Sequence, residues 1–232
     1  MKGRKKNGKG KEYNENCKLI FEGDYSKGIR WNGREKVFSD SGELLLENEY
    51  LNGNLIFQGE YLNGKRNGKG KEYRNYVYII EIEYLNGEIT GLPKEYKFDE
   101  LIFEGKFLNN KKNGYGKEFK SKELIFEGQY SNGERNGKGK QYWNNKLKFE
   151  GYFKNGKRNG KGKEYYDEEL IFEGEYIDGE RNGKRKEYNY HKELVYEGTY
   201  LNGKRNGYGK EYQKKKLIFE GEYLNGKRLN KK

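Results

Sequence analysis

Leu124, Phe126, Gly128 and Tyr130 alternate along the chain with Ile125, Glu127 and Gln129. A period of two puts successive side chains on opposite faces of a strand. One face then carries Leu, Phe, Gly and Tyr, and the other carries Ile and two polar groups. Ser131-Asn132-Gly133-Glu134-Arg135-Asn136-Gly137 follows. Its Asn-Gly steps supply the positive φ angles that tight hairpin connections need. A second extended stretch runs from Lys138 to Tyr142, and Asn144-Asn145-Lys146 turns the chain back. The pattern predicts a β-hairpin.

The same hairpin is spelled again and again. Its leading leucine recurs at Leu19, Leu55, Leu101, Leu147, Leu170, Leu194 and Leu217. The Phe slot is filled by Phe57, Ile80, Phe103, Phe126, Phe149, Phe172, Tyr196 and Phe219, at a spacing of 23 with one step of 24. A fixed period of this length marks an array in which each unit packs on the next. The expected fold is all-β: an elongated single-layer antiparallel β-meander of 23-residue β-hairpin repeats. Residues 1–232 form one array of about ten units, irregular at 29–54 and 78–100, with half units at both ends. Ten hairpins at about 4.8 Å per strand would extend roughly 95 Å. A glycine inside the first strand (Gly59, Gly105, Gly128, Gly151, Gly174, Gly198, Gly221) marks close approach of another group. We expect a ring from the neighbouring strand to lie flat over it.

Two stretches break the pattern. Leu44–Asn54 reads as a half unit without its second strand. The unit at Tyr78 has Ile82 for the strand glycine, Ile89 for the usual arginine and Pro93, the only proline, for the late glycine. Either the array has simply drifted here, or Ile89, Leu92 and Pro93 form a bend or a candidate partner-docking irregularity.

Composition changes the picture in one respect. With 31% hydrophobic residues, 37% charged and a net charge of +12, the chain would read as disordered but for its period. Thirty-four glycines and no alanine oppose helix. No apolar run is long enough for a membrane-spanning helix or a signal peptide, and Cys17 has no second cysteine to bond. The expected location is the cytoplasm, with peripheral contact at the cytoplasmic face of a membrane.

The unit Phe-Glu-Gly-Glu-Tyr-Leu-Asn-Gly-Lys-Arg-Asn-Gly-Lys-Gly resembles the MORN (membrane occupation and recognition nexus) repeat. Phe126-Glu127-Gly128-Gln129-Tyr130-Ser131-Asn132-Gly133 with Gly137-Lys138-Gly139 follows its pattern, and about eight copies do so. The second strand has its aromatic three residues after the last glycine (Tyr73, Phe119, Tyr142, Tyr165, Tyr212). In this it resembles the related bacterial repeat of antitoxin-like proteins. The resemblance implies a single-layer β-meander and a non-enzymatic scaffold. It also implies protein partners, binding to anionic phospholipid, and self-association.

Charge placement suggests where a partner would sit. Arg66, Lys112, Arg135, Arg158, Arg181, Arg205 and Arg228 hold one slot, with Lys69, Lys138 and Lys161 close by. A regular meander would put that slot on one long margin every ~10 Å, as a basic stripe. Such a stripe either keeps a flat sheet soluble or tracks an anionic leaflet. Nucleic acid ranks lower, because glutamates interleave with the bases and the rings are needed for packing. His191 is the only histidine and falls in the turn of the 24-residue unit. No catalytic set, metal-ligand set or cofactor motif can be assembled that the repetition does not explain. Cofactors are expected to be none, and the chain is expected not to be an enzyme.

Overall fold

A computed structural model describes residues 5–229 of the chain. Among these residues there are twenty strands and no helix. The basic residues Lys2, Arg4, Lys231 and Lys232, expected as charges that discourage end-to-end strand pairing, lie outside the described residues. The chain divides into two compact units, Met1–Glu104 and Gly105–Lys232. The division falls within β9 (Glu100–Leu108).

In the first unit, β1 (Gly8–Tyr13), β2 (Leu19–Ser26), β3 (Ile29–Phe38), β4 (Leu44–Leu51), β5 (Asn54–Leu62), β6 (Lys65–Arg74), β7 (Tyr78–Leu85) and β8 (Glu88–Lys97) follow in order. Each pairs antiparallel with the next. The predicted half unit turns out to be a change of phase. Asn52-Gly53 joins β4 to β5, and Asn63-Gly64 joins β5 to β6. Successive turns of a meander lie on alternate edges, so the Asn-Gly tips change edge between these two. The faces change too. Residues opposite each other in an antiparallel pair share a face. Phe21 lies opposite Glu35 and Glu35 opposite Asn48, whereas Phe57 lies opposite Glu49, the next residue. Phe21 and Phe57 therefore stand on opposite faces of the sheet. β5 serves as second strand to β4 and first strand to β6. A single extra strand continues the ladder and, within this unit, turns β5–β8 over by half a turn relative to β2 and β3 about the axis that crosses the strands.

The unit at Tyr78 is compensated internally. In regular repeats a Phe ring occupies the space above two glycines. Here the smaller Ile80 stands in the Phe slot, and Ile82 and Pro93 fill the room it leaves; all three are buried. The ladder shifts register between Glu81 and Glu83, next to the point where Pro93 has no N–H to donate.

In the second unit, β10 (Lys111–Lys120), β11 (Glu123–Ser131), β12 (Glu134–Trp143), β13 (Lys146–Lys154), β14 (Lys157–Tyr166), β15 (Glu169–Ile177), β16 (Glu180–Tyr188), β17 (Leu194–Leu201), β18 (Lys204–Gln213), β19 (Lys216–Leu224) and β20 (Lys227–Arg228) again pair in sequence order. The antiparallel meander of hairpins is as expected. A bulge between Gln141 and Tyr142, repeated between Glu164 and Tyr165, was not anticipated. It sets Leu147 opposite Tyr142 and Leu170 opposite Tyr165, so the Leu slot does not continue the alternation of the Phe slot.

The core is a row of rings. Phe126 packs edge-to-face on Tyr130 at 5.6 Å and on Phe153 at 5.1 Å. Phe149 does the same with Phe153 at 5.4 Å and Tyr176 at 5.2 Å. Glycine is required beneath them: a Cβ on Gly128 would come 2.9 Å from Phe126 Cζ, and one on Gly139 closer still. The ring over Gly128 thus comes from its own strand, two residues back, and covers the glycine of the neighbouring strand as well. A strand's side chains at i and i+2 lie on one face, which is why the ring reaches over its own strand's glycine.

Candidate interaction surfaces

The arginine slot lies on the aromatic face. Arg135 stacks over Phe126 at 4.3 Å, Arg158 over Phe149 at 4.1 Å, Arg181 over Phe172 at 4.1 Å and Arg205 over Tyr196 at 4.0 Å. In the first unit Arg66 stacks over Phe57 at 3.8 Å. Each guanidinium then reaches a carboxylate or amide of the second strand. Arg205 donates to Glu187 at 2.8 Å and Glu211 at 2.7 Å. Arg158 donates to Gln141 at 2.9 Å and Glu164 at 2.7 Å, and Arg181 also donates to Glu164. Arg135 pairs with Glu118, which also accepts from Tyr130 at 2.7 Å. Burial alone would raise the Glu118 carboxyl. The hydrogen bonds from Arg135 and Tyr130 outweigh it and hold that group below the usual carboxylate range. Glu164 is lowered by the same balance, with Arg181 the strongest counterweight.

The expected single stripe therefore resolves into two sets. Arg66, Arg135, Arg158, Arg181 and Arg205 are half-buried lids over rings; Arg228 pairs with Glu211 but is exposed. Lys112 is half-buried near Glu118. Lys69, Lys138 and Lys161 are exposed, and Lys138 and Lys161 line the opposite, charged face. The cause is the odd offset of three between the Arg and Lys slots, which alternation sends to opposite faces. Ile89 and Leu92 are half exposed near the turn Asn86-Gly87, whereas Pro93 is buried. The carboxylates Glu72, Glu118, Glu164, Glu187 and Glu211 carry the network and were not singled out from sequence. Their signal was there, because each follows the basic slot by six residues: Arg66 and Glu72, Arg158 and Glu164, Arg181 and Glu187, Arg205 and Glu211.

The charged face of the second unit is a ladder of alternating sign. Lys117 lies opposite Glu127, Glu127 opposite Lys140, Lys140 opposite Glu150, Glu150 opposite Lys163 and Lys163 opposite Glu173. The ends of the second strands buttress it: Tyr142 donates to Glu127 at 2.7 Å, Tyr165 to Glu150 at 2.6 Å and Tyr212 to Glu197 at 2.7 Å. Beside the ladder lie Tyr115, Lys138, Tyr152, Lys161, Lys184 and Tyr208. Together they line an open groove of about 1300 Å³ whose floor is the glycine row.

The MORN repeat matches residues 57–76, 103–121, 126–148, 149–168, 172–184 and 196–215. The chain belongs to the MORN-repeat family. No curated protein matches it. MORN repeats in general mediate protein and membrane interactions, and the all-β repeat fold is typical of non-catalytic scaffolds. Among the described residues, no three His, Cys, Asp or Glu side chains come together as a metal site. His191 lies in the β16–β17 turn, its backbone N–H donating to Asn189 Oδ1.

Proposed function

We propose that this MORN-repeat chain is a non-enzymatic scaffold that holds a polypeptide partner along the charged face of residues 105–232. The observation that supports this is the groove of about 1300 Å³. It combines a flat backbone floor with exposed lysines and tyrosine rings, the mixture of apolar contact and charge that specific protein interfaces use. Charge reversal tests it: Lys138, Lys161 and Lys184 changed together to Glu. Pull-down from the native source should lose one stoichiometric protein that the wild type and a Lys65→Glu variant, changed in the other unit, both retain. Identical capture by all three proteins would reject the groove.

A second reading is peripheral contact with anionic phospholipid at the cytoplasmic face of a membrane. It is favoured by the hairpin tips, where Ile177, Leu201 and Leu224 are each more than half exposed and Lys204 and Lys227 stand next to the turns. Flotation with phosphatidylserine vesicles should weaken when these three aliphatic residues become Ser. It should also weaken when the exposed Lys204 and Lys227 become Glu. Unchanged flotation, or none, would reject membrane contact at this edge.

A further inference from the structure

The tips of successive hairpins are tied to one another. The glycine N–H of each tip donates to a backbone carbonyl of the preceding hairpin. Gly53 donates to Trp31 at 2.7 Å and Gly87 to Arg66 at 2.8 Å. Gly133 donates to Lys112 at 2.9 Å, Gly156 to Arg135 at 2.9 Å, Gly203 to Arg181 at 2.9 Å and Gly226 to Arg205 at 2.8 Å. The Asn-Gly tip at Asn63-Gly64 is different. It is the first Asn-Gly tip on its edge after the change of phase; the turn before it on that edge is the β3–β4 turn, whose backbone bonds close on themselves between Ser39 and Glu43. Gly64 N–H has no acceptor among the described residues; the nearest polar contact is Arg34 Nη1 to its carbonyl at 3.4 Å. A Cβ placed on Gly64 would meet nothing within 4 Å.

An asparagine followed by glycine carries its own modifying reagent. The glycine amide nitrogen loses a proton to water and attacks the asparagine Cγ. The Cγ–Nδ2 bond breaks, ammonia leaves, and a five-membered succinimide forms. Water then opens the ring at either carbonyl, leaving an aspartyl or an isoaspartyl linkage. One water enters and one ammonia departs, with no oxidant or other reagent. Glycine favours this attack because no Cβ shields its nitrogen. The nitrogen must still be free, and a tip whose N–H is held by a carbonyl must open first. An ordinary hydrogen bond makes that opening roughly fivefold less frequent.

We infer that Asn63 is a site of spontaneous deamidation, set apart from the other Asn-Gly tips by its free glycine nitrogen. The backbone turn is the same in all of them: Asn63 has φ 51°, Asn86 54° and Asn132 52°. Turn strain therefore does not distinguish the tips, and the missing tie does. The product adds a negative charge beside Arg34 and Lys65. The isoaspartyl form also adds a methylene to the backbone of a tight turn, at the strand where the array changes face.

The test is ageing of the full chain in warm, mildly alkaline buffer, followed by peptide mapping that separates aspartyl from isoaspartyl products. Position 63 should gain about one mass unit at least about fivefold faster than positions 86, 132, 155 and 202. In urea, with the ties broken, these tips should react at similar rates. Amide exchange should also be faster at Gly64 than at Gly87 and Gly133. Equal deamidation at position 63 and the tied tips in the folded chain would overturn the inference. So would faster reaction within the strands, at Asn67-Gly68 or Asn136-Gly137. Faster reaction at 63 that persists unchanged in urea would assign it to local sequence and would equally overturn it.

Discussion

Arg185 stands where regular repeats have the late glycine. It is 4% exposed, lies 3.6 Å from the Tyr200 ring and 4.7 Å from the Phe172 ring, and none of its guanidinium nitrogens has a hydrogen-bond partner among the described residues. Burial, helped by the nearby charge of Arg181, pushes its pKa down to about 10. Two effects compete. Stacking on desolvated rings favours the charged form by about 2 kcal/mol. Leaving a buried charged donor group unpaired costs about 1–3 kcal/mol or more. The like charge of Arg181 adds to the cost, which makes the second effect the larger. Arg185→Gly should therefore stabilise the array, by about 1 kcal/mol after the lost ring contacts are counted. The measurement is the thermal or urea midpoint of the variant; a lower midpoint would mean that the stacking decides.

At the scale of the strand pair, ring size and glycine are one choice. A Cβ on Gly151 would meet Phe149 Cζ at 2.7 Å and the backbone of Gly162 at the same distance. The unit with Ile80, Ile82 and Pro93 shows the other solution, a smaller core residue with larger neighbours. Gly151→Ala should cost about 1–3 kcal/mol by overpacking. Phe149→Ile should also destabilise when made alone, because it leaves a cavity. Made together they should cost less than the sum, with a coupling of about 1 kcal/mol or more in a double-mutant cycle. Additive effects would mean that ring and glycine do not compete for one space. Much of this element was legible in the sequence: period two gave the strands, Asn-Gly gave the tips, and the spacing of 23 gave the units. The change of face at β5 was not. An extra strand shows up as a short spacing between Asn52-Gly53 and Asn63-Gly64, but a strand's alternation carries no label for which face is up. The direction of Arg135 was missed for a related reason. Counting the odd offset to Lys138 sends the two bases apart, yet both look like one cluster along the chain.

Across the molecule, the same arginine–carboxylate device recurs in both compact units, and its pH dependence should be collective. Arg30 leads the groups that hold the Glu12 carboxyl down at about 2, with smaller contributions from Tyr25 and Lys6. Glu118, Glu164 and Glu211 are lowered as well, each despite burial, by hydrogen bonds led by Arg135, Arg181 and Arg228. A carboxylate whose folded pKa lies below its unfolded value binds fewer protons when folded than when unfolded. Its stabilisation is fully present above the ordinary carboxylate range near pH 4.3 and is lost as pH falls through the folded value. Protonation also adds to a net charge already at +12, so self-repulsion grows in the same direction. The array should hold its strand signal in circular dichroism down to about pH 4, and then lose stability steeply toward pH 2. Added salt should weaken the exposed Lys–Glu ladder of the charged face while affecting the half-buried arginine network much less. Glu164→Gln, which keeps the shape but removes the charge shared by Arg158 and Arg181, should lower the neutral-pH midpoint and flatten the acid limb. A variant that loses stability at neutral pH but keeps the full acid slope would show that the limb belongs to other carboxylates.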